Sequence, residues 1–195
     1  MSRPSTINKI LAMDCETTGL KFGSLDPSIG HQSLSWGMIV ADANFKELDS
    51  LYLEIKWDGV SNWETRAEQV HGLSRDYLEA NGMDKEDAAA TIAEFILKHF
   101  DIDESIVCLG HNVRNFDLPF LVRLLSEFDL KFKFAHRAID TFSPGFVLAG
   151  KTNSDEIFQY FGMPPRHQHN ALEDARRALK VCRNIRRLWK QAYAE

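Results

Sequence analysis

Three short segments of this chain carry side chains that could do chemistry together. M-D-C-E-T-T-G-L presents Asp14 and Glu16, G-H-N-V-R-N-F-D ends at Asp117, and H-N-A-L-E-D-A presents His169 and Asp174. Four carboxylates brought to one place would suit a pair of hard divalent cations, which prefer oxygen ligands. Two such ions suit in-line attack on a phosphodiester, one activating water and the other stabilising the leaving oxygen. The histidine adds what the acids lack, a group that takes a proton near neutral pH.

Each segment alone also has a plainer reading. Asp14 and Glu16 are two apart in a strand pattern, so both emerge on one face. An acidic pair at the C-terminal edge of an apolar strand is costly unless compensated, and a structural salt bridge would also compensate it. Asp117 and Asp174 both fall in the first turn of a helix, where a lone acid is simply a favourable dipole partner. His169 and Asp174 are five apart, roughly 140° on a continuous helix. A helix start at Asn170 resolves this, because His169 then lies outside the helix and can swing over the site. The plain alternative is a surface-loop histidine, of which His167 is an example. The coincidence of the three segments carries the metal reading.

The elements that must position these groups follow from periodicity. Ile10, Ala12, Asp14 and Glu16 share one face of a strand, and Leu11, Met13 and Cys15 the other. Thr17-Thr18-Gly19 reads as a turn and residues 21–32 as a loop with Gly23, Pro27 and Gly30. Leu34, Trp36, Met38 and Val40 alternate, as do Leu51, Leu53 and Ile55, with a hairpin turn at Asp42-Ala43-Asn44. Asp84 can cap a helix whose inner stripe is Ala88, Ile92, Phe95, Ile96 and His99. A short buried strand over 105–109 precedes a helix over 116–128, and another strand falls within 132–140. A further helix spans 153–161, ended by Gly162 and Pro164. The last helix opens with N-A-L-E, a capping-box pattern, and its core stripe runs Leu172, Ala175, Ala178, Leu179, Cys182, Ile185, Trp189. An early antiparallel hairpin followed by alternating helix and strand implies an α/β fold with a mixed sheet covered by helices.

The bulk numbers set bounds. The 195 residues suit one domain, 1–195, with a full hydrophobic core. Cys15, Cys108 and Cys182 are few, scattered and odd in number, which argues against a disulfide framework and for a reducing compartment. No apolar run approaches the roughly 20 residues of a membrane span, and the opening residues lack a signal peptide's apolar stretch, so a cytoplasmic location is expected. The net charge of −5 argues mildly against a nucleic-acid binder, unless four of the acids hold metal, whose charge would cancel theirs locally.

These residues carry a family likeness. The chain resembles the DEDDh 3′→5′ exonucleases, the group that includes bacterial proofreading subunits and ribonuclease T. M-D-C-E-T-T-G-L, H-N-V-R-N-F-D-L-P-F-L and H-N-A-L-E-D-A are similar to its three motifs, and V-H-G-L-S around His71 to the stretch between the first two. A histidine five before Asp174, with no tyrosine four before it, points to the histidine subgroup. The resemblance implies a ribonuclease H-like fold. It implies that Asp14, Glu16, Asp117 and Asp174 hold two Mg²⁺ or Mn²⁺ ions and that His169 deprotonates the attacking water. The backbone at Thr17, Thr18 and Gly19 would contact the 3′-terminal nucleotide, and Leu20 would wedge against its base. His111, Asn112 and Phe116 would line the nucleotide pocket, with His71 nearby.

The expected function is therefore metal-dependent 3′→5′ hydrolysis of nucleic acid, preferring single-stranded DNA and releasing nucleoside 5′-monophosphates. Trimming of RNA or short oligoribonucleotides is the alternative, since nothing in the sequence clearly reads a 2′-hydroxyl. A nucleic-acid-binding domain without activity is a third reading, opposed by all five catalytic positions being filled. A chain of this length leaves no room for a polymerase, so proofreading would need a separate protein partner. The basic last helix, with Arg176, Arg177, Arg183, Arg186, Arg187 and Lys190, offers either a binding face or a solvated one.

Overall fold

β1 (Lys9–Thr17), β2 (Ser33–Asp42) and β3 (Glu47–Glu54) form an antiparallel meander, as their alternating apolar residues predict. The computed structural model of the chain describes residues 7–22 and 30–193, so Gly23, Pro27 and the middle of the expected 21–32 loop lie outside the described residues. Asp42 closes the second hairpin, its Oδ1 accepting from the amides of Asn44 (2.8 Å) and Lys46 (2.9 Å).

Three helices follow: α1 (Thr65–His71), α2 (Arg75–Asn81) and α3 (Lys85–His99). The chain then returns to the sheet. The single strand expected over 105–109 is two short ones, β4 (Ser105–Ile106) and β5 (Cys108–Gly110). The strand expected within 132–140 likewise divides into β6 (Lys133–Phe134) and β7 (Ile139–Asp140). β5 and β7 join the main sheet in parallel, giving the order β3-β2-β1-β5-β7, while β4 and β6 pair only with each other. Local propensity favours extended backbone through both stretches, but only tertiary pairing decides which sheet each half joins. The remaining helices are α4 (Asp117–Ser126), α5 (Phe142–Ala149), α6 (Ser154–Tyr160) and α7 (Ala171–Tyr193). The result is the mixed sheet flanked by helices that the sequence predicts.

The two faces of β1 feed separate cores. Leu11, Met13 and Cys15 pack with Trp36, Met38, α3 and α4. Ile10 and Ala12 pack with Ile39, Leu109 and the Ala175, Ala178, Leu179 and Cys182 stripe of α7. All three cysteines are buried free thiols. No described helix is long and apolar enough to cross a membrane.

Other departures are local. Asp84 makes no side-chain cap to α3 and instead pairs with Lys56 at 3.0 Å. Trp189, expected in the core stripe of α7, is 63% exposed, because the helix runs past the sheet. Helix α5 carries no sequence pattern that singles it out. Its Pro144 falls in the first helical turn, where proline is tolerated because its missing N–H has no partner to lose.

At Gly37 the sheet and the helix layer come into close backbone contact. Gly37 pairs with Asp14 across β1 and β2, and a Cβ there would overlap the backbone of Ala171 and Leu172. The first turn of α7 thus rests directly on the sheet. Gly37→Ala should cost about 2 kcal/mol in urea unfolding, since that backbone cannot yield as a side-chain end would. An unchanged unfolding midpoint would show that α7 is not fixed by this contact.

Candidate active site

The site lies where β1 runs out from under its helix. Asp14 and Glu16 continue the face of Ile10 and Ala12, so both carboxylates emerge beside the first turn of α7, which holds Asp174. Asn170 fixes that turn. Its Oδ1 accepts from the Glu173 amide at 3.1 Å, and its carbonyl accepts from the Asp174 amide at 2.9 Å. The Glu173 side chain does not complete the expected capping box; its Oε1 accepts from Arg176 at 2.6 Å. Asp117 arrives from the opposite side. β1 pairs with β5 only at Leu11 and Ala12, so the Cys15 N–H, farther along the edge, donates to Asp117 Oδ1 at 3.0 Å. Asp117 is 1% exposed and Asp174 4%.

These acids raise one another's proton affinity. Burial, then the charge of Asp174, pushes Glu16 up to about 8. Burial pushes Asp117 up to about 7 and Asp174 to about 6, the latter restrained by Arg166. Asp14 rises well above its ordinary value through burial, then through Asp117 and Glu16. Among the described residues, Glu16 Oε1 and Asp174 Oδ1 are buried with no hydrogen-bond partner. Glu16, His169 and Asp174 each offer a ligand atom within 4.8 Å of the others. Buried carboxylate oxygens without donors suit divalent cations, which would supply the missing charge and coordination.

His169 leaves the chain just before α7, held by its backbone amide donating to the Val70 carbonyl of α1 at 3.1 Å. Its Nε2 lies 3.8 Å from Asp155 and its Nδ1 3.9 Å from Asp174. Burial, then the nearby Arg166, holds its pKa below the usual histidine range, which favours the neutral ring. His71, the last residue of α1, stands close by. Its Nδ1 accepts from the Leu73 amide at 3.0 Å, while its Nε2 is buried without a partner among the described residues. His167 is exposed.

Two residues join the site that the motifs do not single out. Arg166 bonds Asp174, donates from Nε to Asp155 Oδ1 at 2.7 Å and from Nη2 to Ser154 Oγ at 2.9 Å. Its guanidinium lies over the Phe158 ring at 5.2 Å. Asp155 comes from α6 and faces both Arg166 and His169. The signal for Arg166 was present, a cation three residues before His169. Asp155 had none, because only the packing of α6 brings it there.

A cavity of about 580 Å³ opens over these groups, lined by all four acids and His169. Thr17, Gly19, Leu20, His71, His111, Asn112 and Phe116 also line it. Leu20 stands at its edge, 76% exposed. Thr18 does not line it. Its hydroxyl accepts from the Gln32 amide at 3.0 Å and its carbonyl accepts from Glu64 at 2.8 Å, so its bonds hold the turn in place. His31 packs under that turn, accepting from the Lys21 amide at 3.0 Å and meeting Glu64 at 3.1 Å. A Cβ at Gly19 would overlap the His31 ring, so glycine is needed for this approach. Asn112 adopts φ 56°, a left-handed conformation that asparagine tolerates, and its amide donates to Asp140 at 2.9 Å.

Comparison with known proteins agrees with this geometry. The family model described as exonuclease matches residues 11–182, which spans all three motifs. No curated protein matches the sequence. Among solved structures the chain is similar to E. coli exonuclease I. One complex with a dT13 oligonucleotide is 13% identical with a TM-score of 0.72, covering 96% of this chain and 42% of that one. Another exonuclease I structure gives 15%, 0.74, 96% and 43%. A zinc-bound complex of exonuclease I with single-stranded DNA gives 14%, 0.73, 96% and 41%. The chain thus spans less than half the length of these relatives, and at such identity they share its fold. With the family match covering nearly the whole chain and three acid-bearing motifs meeting in one cavity, the chain belongs to the exonuclease family.

Proposed function

We propose that this chain is a metal-dependent exonuclease that removes nucleotides from the 3′ end of single-stranded DNA, releasing nucleoside 5′-monophosphates. The observation that carries this reading is the meeting of four buried or half-buried acids and a histidine in one cavity, two of the carboxylate oxygens having no donor among the described residues. The exonuclease I complexes with dT13 and with single-stranded DNA and zinc support single-stranded DNA as substrate and a divalent metal at the site.

Asp14, Glu16, Asp117 and Asp174 would hold the cations, two Mg²⁺ or Mn²⁺ by family resemblance. When bound, such ions would lower the pKa of the attacking water and neutralise charge building on the phosphoryl group. The chain's own residues do the rest. His169, neutral, takes a proton from the water as its oxygen attacks phosphorus. Asp155 and Asp174, each within 4 Å of the ring, stabilise the imidazolium that forms. The bond from phosphorus to the 3′ oxygen of the remaining strand breaks, and that oxygen takes up a proton. The turn at Thr17 and Gly19, with Leu20 at the rim, would receive the terminal nucleotide, and Phe116 and His111 would flank it.

Removal of metal has a pH signature. Glu16, Asp117 and Asp174 bind protons more tightly folded, up to about 8, 7 and 6, than at their ordinary values of 4.5, 3.8 and 3.8. The folded state therefore holds more protons, and metal-free stability is lost as pH rises from about 4 to about 8. The melting temperature in EDTA should be lower at alkaline than at mildly acidic pH, and Mg²⁺ should remove most of that difference. Asp117→Asn should flatten the metal-free dependence. A metal-free melting temperature that rises over this range would contradict the cluster's electrostatics.

Polarity is checked with a strand labelled at its 5′ end, which should give a ladder shortening from the 3′ end. EDTA or Asp14→Ala should abolish it. Cleavage of circular single strands would exclude an end-specific site.

His169→Ala should slow single-turnover hydrolysis roughly 10²–10⁴-fold while leaving oligonucleotide affinity nearly intact. His167→Ala should be silent. The wild-type rate should fall with acid only below about 6.5, because the ring's pKa is held down and the base must be neutral. A wild-type single-turnover rate in His169→Ala would remove it from the mechanism.

A further inference from the structure

Helix α5 carries an aromatic face that the catalytic cavity does not use. Phe142 and Phe146 are one helical turn apart, with ring centroids at 6.5 Å and planes within 7° of parallel. They are 42% and 56% exposed. The helix cannot turn them inward. Its single buried residue is Gly145, seated so tightly on α6 that a Cβ there would overlap Ile157. At the inner end of the pair, the His111 ring sits edge-on to Phe142 with centroids at 6.3 Å. His111 lines the catalytic cavity and is fixed there by Thr141, whose Oγ1 lies 3.1 Å from its Nδ1. Three rings therefore run from the cavity wall out onto the surface. Helix α5 contains no acid to repel phosphate.

We infer that Phe142 and Phe146 form a stacking track for the nucleotides on the 5′ side of the one being removed. The inference rests on the proposed activity. Aromatic faces accept any base, so such a track binds single strands without reading sequence. Val147, Leu148 and Tyr160 are also exposed, and an apolar patch of this kind can equally receive a protein. Continuity with the cavity through His111 decides for the strand. A protein-docking face has no need to begin at the catalytic wall, whereas a single strand whose end lies in the cavity must leave past its rim.

The test compares a dinucleotide with an octanucleotide, both 5′-labelled, by fluorescence anisotropy with Ca²⁺ in place of Mg²⁺ to suppress turnover. Phe142→Ala/Phe146→Ala should weaken octanucleotide binding by roughly 10-fold or more, since each stacked ring is worth at least several-fold in affinity. Dinucleotide binding should change little. Hydrolysis of the p-nitrophenyl ester of thymidine 5′-monophosphate, which occupies the cavity alone, should be unchanged. Phe142→Leu/Phe146→Leu keeps apolar bulk without aromatic faces and should behave like the alanine variant. Octanucleotide affinity that survives both double variants would overturn the track, as would equal losses for both lengths or recovery by leucine. A change confined to sedimentation behaviour, with binding intact, would instead make this a protein-contact face and overturn it too. If the wild-type protein leaves the aryl ester intact while octanucleotide binding still depends on the rings, the proposed hydrolysis fails and the track stands.

Discussion

The seating of α7 on Gly37 is the contact on which the rest of the site depends. Three structural conditions meet there. β1 must lie beside β2 to place Asp14 opposite Gly37. Gly37 must lack a side chain for the helix backbone to come close. The apolar stripe of α7 must lie on Ile10, Ala12, Ile39 and Leu109 to press the helix down. Only then does Asp174 reach the end of β1 and share a cavity with Glu16. A small displacement of this turn would separate carboxylates that, under the proposed function, would have to share an ion.

This close approach has an electrostatic cost. Like charges in a partly dry cavity raise one another's pKa, and the apolar sheet on which they stand offers little solvation. The structure offsets part of that cost from two directions. The Cys15 amide, left over where β1 outruns β5, donates to Asp117. Arg166, buried beside Asp155 and Asp174, supplies a fixed positive charge against the last acid. Among the described residues, Glu16 Oε1 and Asp174 Oδ1 still lack donors. A protein that meant only to be stable would not leave them so. Under the proposed function, bound cations would relieve that strain.

His169 shows how the same environment sorts roles among titratable groups. Burial and Arg166 hold it neutral, while burial and mutual repulsion push the acids toward their protonated forms. Cations bound there would return the acids to their charged state. The His169 backbone is tied to α1 through Val70, which links the helix that ends in His71 to the loop before α7.

The sequence by itself determined the hairpin, α4, α6, α7 and the five groups of the motifs. Their information is local: period-two alternation in β1 and β2, an Asn170 cap, and acids at fixed places in first turns. Alternation alone separates Ile10, Ala12, Asp14 and Glu16 from Leu11, Met13 and Cys15, which is why the two cores of β1 were legible. What tertiary structure alone decided is where non-local contacts outweigh propensity. The halves of 105–110 and 132–140 join different sheets because each pairs with a different neighbour. Trp189 is exposed because the sheet ends before the helix does. Thr18 serves the scaffold because Gln32 and Glu64 happen to lie within its reach. Asp155 enters the site, and Phe142 and Phe146 stay outside the core, because Gly145 sets how α5 and α6 pack. No residue's own chemistry encodes such a distance; it exists only once two elements far apart in sequence share a surface.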